Sequence, residues 1–79
     1  MKVKNLANNQ IVFTDGKTEI FTSYGTKIAK KVGNNVTLDK KFWDFSATTT
    51  KWLGRFLGMN KEGIRMRIAS GEFKLANLN

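Results

Sequence analysis

The sequence predicts an α+β fold: an N-terminal antiparallel β-meander of three or four strands, packed by two short C-terminal helices in a helix–turn–helix-like arrangement, with a short terminal strand. Three observations carry this expectation. β-Branched and aromatic residues alternate with polar ones between Gln10 and Leu38, the period of a half-buried strand. Beyond Lys40 the period lengthens, and Trp52, Leu53, Phe56 and Leu57 recur at helical spacing. Proline is absent, so glycine and asparagine supply the punctuation.

Taken in order, Gln10 to Thr14 reads as a strand. Asp15-Gly16 turns it, because both residues tolerate positive φ. Thr18 to Tyr24 returns, and Gly25 breaks it. Thr26 to Val32 alternates again, with Ile28 and Val32 on one side and Lys27, Ala29 and Lys31 on the other. Gly33-Asn34-Asn35 is a second turn and Val36 to Leu38 a short strand. Phe42, Trp43 and Phe45 then form an aromatic knot with Asp44 inside it, and Asp39 and Asp44 can cap the turn that follows. Ser46 or Thr48 caps the first helix through an otherwise orphan backbone N–H. Gly58 ends it, Asn60 caps the second, and Gly71 stops that one. Ile64 and Ile68 lie on its buried face, and Phe73 to Leu78 alternates like a strand.

The chain of 79 residues is read as one domain, 1–79. A domain of this size buries only about 60% of the surface its unfolded chain exposes, and without cysteine no disulfide supports it. Its large aromatic side chains are therefore expected inside. No apolar run is long enough to span a bilayer and no targeting segment is visible. The expected compartment is the cytoplasm.

Catalysis is not expected. With no histidine and no cysteine there is no imidazole base and no conventional zinc site. The six carboxylates form no recognisable pair, and there is no Walker-type loop or nucleophile elbow. Neither a cofactor nor a metal is expected.

Charge points to binding instead. Fourteen lysines and arginines against six acids give a net charge of +8, with a sequence pI near 10.1. Such a chain attracts polyanions, whether nucleic acid or an acidic protein surface. Lys51 and Arg55 are one turn apart on the first helix, as are Lys61 and Arg65 on the second. Like charges at this spacing repel, so helix stability does not explain them. They can track phosphates as two cationic ridges or form a solvated face. Arg67 falls on the opposite side of its helix from Arg65.

From Leu57-Gly58-Met59-Asn60, through Ile64 and Ile68, to Ser70-Gly71-Glu72, the chain resembles the helix–turn–helix of phage excisionases. It departs at Arg67, where that family is usually apolar, and in having too little chain after Gly71 for a full wing. Residues spread more widely also resemble a group of small tailed-phage proteins. These include Tyr24, Ile28-Ala29, Trp43-Asp44-Phe45-Ser46, Thr48-Thr49, Lys51, Leu53, Phe56-Leu57 and Leu78-Asn79. That resemblance implies action inside an infected bacterium and transfers no site residue.

The favoured expectation is DNA binding, with Lys51, Arg55, Lys61, Arg65 and Arg67 on phosphates and the second helix nearest the major groove. The alternative is a phage-encoded inhibitor or modulator that grips an acidic surface of a host defence, transcription or replication complex, with Tyr24 or Trp43 as an exposed interface aromatic. A membrane-surface role ranks last, because both helices are short and need their apolar faces inside.

Overall fold

The computed structural model describes residues 1–79. Its strands are β1 (Lys2–Ala7), β2 (Gln10–Asp15), β3 (Thr18–Ser23), β4 (Thr26–Val32) and β5 (Asn35–Asp39). Helices α1 (Ala47–Leu57) and α2 (Lys61–Ser70) follow, then β6 (Phe73–Ala76). All six strands belong to one sheet in the order β1-β2-β3-β4-β5-β6. The first five pair antiparallel, and β6 lies parallel to β5. The expected meander of three or four strands with a short tail strand is therefore corrected to a six-stranded mixed sheet spanning the whole chain.

Two physical reasons account for the difference. β1 is an edge strand whose first four residues, Lys2, Val3, Lys4 and Asn5, are all exposed, so it carries no burial alternation to read. Charged side chains on an edge are also what protects it from pairing with another chain. β6 is placed by non-local pairing: Val36 faces Phe73 and Leu38 faces Leu75. A parallel pair needs a long crossover, and here both helices supply it.

One face of the sheet packs on the helices. Val12 on β2 and Phe21 on β3 are direct partners, and Phe21 is in turn opposite Ala29. With Ile28, Val36, Leu38, Trp43, Leu53, Ile64 and Phe73 they form the buried core. Phe21 stacks on Phe56 at 5.7 Å between centroids. Leu53 and Ile64 are fully buried, while Phe56, Leu57 and Ile68 pack around them partly exposed. The expected two sides of β4 are also corrected. The register shifts between Phe21 and Thr22, leaving Ile28 as an extra residue between Ala29 and Lys27. This β-bulge turns both Ile28 and Ala29 into the core and leaves Val32 exposed. No helix is long and apolar enough to cross a membrane.

Candidate functional site

The helical pair is positioned by local chemistry. Ser46 caps α1, its Oγ accepting the Thr49 amide at 3.1 Å, and Thr50 donates its hydroxyl to the Ser46 carbonyl at 2.9 Å. The Thr49 hydroxyl also bonds Ser23 of β3 at 3.1 Å. These contacts bury Thr49 and Thr50 and fix the rotation of α1, so Lys51 and Arg55 face outward. At the far end the Gly54 carbonyl accepts both the Gly58 and the Met59 amides, at 2.7 and 3.0 Å. Gly58 is left-handed at φ 73°, the usual way a helix closes. A Cβ on Gly54 would stand 2.6 Å from the Met59 carbonyl oxygen, so the turn is possible only because position 54 has none. Asn60 then caps α2 through the Gly63 amide at 2.8 Å.

A groove of about 630 Å³ lies between α1 and the start of α2, and Lys51, Arg55 and Lys61 line it with Thr50, Gly54 and Asn60. Three of the five expected cations thus meet in one place. Arg65 is exposed one turn beyond Lys61 on α2 but does not line the groove. Arg67 is separated from them. Its Nε donates to the Glu72 carboxylate at 3.1 Å and its Nη1 to the Gly63 carbonyl at 3.2 Å, so its head group is engaged within α2 and the turn after it.

The pairing of Lys51 with Arg55 has a support that sequence reading missed. Lys51 Nζ lies 5.2 Å and Arg55 Cζ 5.7 Å from the centre of the Trp52 ring. Such cation–π contacts are worth about 0.5–1 kcal/mol at exposed sites, against a few tenths lost to like-charge repulsion. The spacing is legible in the sequence, since Trp52 sits one residue after Lys51 and three before Arg55. Arg67–Glu72 is the one ion pair in the structure, so the charge of the groove is not neutralised from within. A second set, Lys27, Lys30 and Lys74, falls on the helix-free face by register.

The aromatic candidates divide. Trp43 is only 8% exposed and belongs to the core, which corrects its place among interface aromatics. The ring that emerges from the knot is Phe45, 73% exposed, and Tyr24 is 68% exposed. The knot is built by Asp39, whose Oδ2 accepts the Lys41 and Phe42 amides at 3.2 and 3.0 Å and whose carbonyl accepts the Trp43 amide at 3.0 Å. Phe42 meets Phe45 edge-on at 5.8 Å. Tyr24, Phe42 and Phe45 line a cleft of about 350 Å³ together with Thr26, Ser46 and Thr49.

No curated protein and no solved structure matches this chain. A family model does, over residues 1–71, which spans the sheet's first five strands and both helices. On that match the chain belongs to the family of unknown function DUF8033.

Proposed function

We propose that this protein binds nucleic acid, DNA in the first instance, through the cationic groove between α1 and α2, and that it acts by binding and not by catalysis. The observation that carries the reading is the convergence of Lys51, Arg55 and Lys61 on one groove, with no carboxylate among its lining residues. Lys51 and Arg55 are held outward by Trp52, and Lys61 opens α2 beside its N-cap, where the helix dipole favours a phosphate. Arg65 extends the positive surface along α2. Arg67 is left out of the contact set because its Nε and Nη1 are held by Glu72 and Gly63 and it does not line the groove.

The test is a titration with labelled duplex DNA at a series of salt concentrations. Each phosphate neutralised on B-DNA contributes about 0.9 to the slope of log affinity against log salt. Three groove cations therefore supply a slope of about 2.7, and contacts by Arg65 add to it. Absence of binding at low salt contradicts the reading. A stoichiometric protein captured from bacterial lysate after nuclease treatment, with no affinity for DNA, would replace nucleic acid by an acidic host protein as the partner.

A further inference from the structure

Tyr24 sits where the chain can least easily hold it. It occupies the first position of the two-residue turn joining β3 to β4, between the paired residues Ser23 and Thr26. Both turn residues have positive φ, 51° for Tyr24 and 78° for Gly25, the geometry that hairpins normally fill with Asn-Gly. A bulky L-residue in this conformation is strained. Burial does not compensate, because the residue is 68% exposed. Strain retained without a packing reason marks a residue kept for what it contacts.

What the ring faces is a cleft already built. Phe42 and Phe45 line it from the turn that Asp39 organises, and Ser46 and Thr49 from the first turn of α1. Phe45 is the most exposed aromatic of the chain, and no ring–ring contact joins it to Tyr24. Lys41 Nζ lies 5.4 Å from the Phe42 ring, placing a cation next to that wall. At about 350 Å³, the cleft is at the small end of the roughly 300–1,000 Å³ of ligand pockets. Ser23, Ser46 and Thr49 bond one another through their hydroxyls, which leaves the Tyr24 and Thr26 hydroxyls to combine with the π faces of the lining, a set suited to a flat heteroaromatic ring.

The cleft and the cationic groove flank the same stretch of α1. Ser46 and Thr49 face the cleft while Ala47, Thr50 and Lys51 face the groove. A helix with its side chains is only about 10–12 Å across, so one short strand reaches both. We infer that the Tyr24–Phe45 cleft takes an unpaired nucleobase, and that the preferred ligand of this protein is a single strand whose phosphates run on to Lys51 and Arg55. The inference rests on the proposed nucleic-acid function and narrows it. A base paired within a duplex cannot enter such a cleft without being unstacked, whereas stacking on exposed aromatics is how sequence-tolerant single-strand binding is commonly achieved.

The experiment measures anisotropy of a labelled oligothymidylate and of a duplex of equal length, using the whole chain and the variants Tyr24→Asn, Phe45→Ala and Lys51→Ala. The wild type should prefer the single strand. Tyr24→Asn and Phe45→Ala should each weaken single-strand binding about tenfold, within the range of losses seen when a stacking aromatic is removed, and leave duplex binding unchanged. Because asparagine suits the turn better than tyrosine, Tyr24→Asn should also melt at a higher temperature than wild type, so its lost affinity cannot be unfolding. Single-strand affinity unchanged in both aromatic variants but reduced in Lys51→Ala overturns the cleft and leaves the groove standing. No binding of either oligonucleotide by the wild type overturns both.

Discussion

The Asp39 carboxylate accepts the backbone amide of Leu78, 39 residues later, at 2.8 Å. Its Oδ1 also accepts the Asn79 side-chain amide at 3.2 Å, while Oδ2 holds the Lys41 and Phe42 amides. Asn79 in turn pairs with both backbone groups of Lys27, at 3.0 Å each, beside the bulge in β4. One buried anion thus joins the last residues to the sheet and to the turn that presents Phe42 and Phe45.

Burial pushes the Asp39 carboxyl up, but the bonds from Leu78, Phe42, Asn79 and Lys41 together outweigh it and hold it below the ordinary value of 3.8. A carboxyl depressed on folding contributes stability that is complete above its unfolded pKa and is lost as pH falls through the lower folded one. Asp39→Ala should cost about 1–3 kcal/mol at neutral pH, since it strands the part-buried amides of Lys41, Phe42 and Leu78. It should also flatten the acid limb of stability. Urea unfolding at several pH values between neutral and 3 checks both. A variant as stable as wild type at pH 7 would show that the carboxylate holds nothing.

Gly54→Ala separates propensity from packing. In an exposed helix interior alanine is better than glycine by about 1 kcal/mol. Here the added Cβ meets the Met59 carbonyl at 2.6 Å, and backbone cannot easily retreat. We expect net destabilisation of about 1–3 kcal/mol, read from the urea midpoint. A stabilised variant would mean that the Met59 carbonyl of the interhelical turn leaves room for a Cβ at position 54.

Gln10 offers the opposite sign. It is 1% exposed on the helix-covered face, opposite Ser23, and neither polar atom of its side chain has a hydrogen-bond partner. Burying an unpaired amide costs about 1–3 kcal/mol. Gln10→Met keeps the length of the side chain and removes that cost, so thermal unfolding should move to higher temperature. A fall of several degrees would reveal that the amide is satisfied.

The parts of the fold that could be read in the sequence are those fixed by neighbours. Both helices lie where the spacing predicts them because Ser46, Gly58, Asn60 and Gly71 act within one turn of themselves. What could not be read depends on distant partners. β1 shows no burial pattern because it is an edge, β6 finds β5 across both helices, and one bulge reverses the expected side of Ala29. The site follows the same rule. Lys51, Arg55 and Lys61 converge because the turn at Gly58 brings the helices together. Arg67 is diverted by Glu72, whose claim on it no periodicity marks. Within the aromatic knot, spacing could not say that Trp43 goes inside and Phe45 outside, since Asp39 and its bonds decide that.

Location is the central claim, and net charge alone could mimic it. The direct measurement compares two triple variants of equal charge by DNA titration at low salt. One carries Lys51→Ala, Arg55→Ala and Lys61→Ala in the groove, and the other Lys27→Ala, Lys30→Ala and Lys74→Ala on the helix-free face. The groove variant should lose most of its affinity, and its salt slope should fall by about 2.7 at roughly 0.9 per phosphate contact. The sheet variant should stay close to wild type in both. Equal losses from the two variants would contradict the account, because binding would then follow total charge and not the groove between α1 and α2.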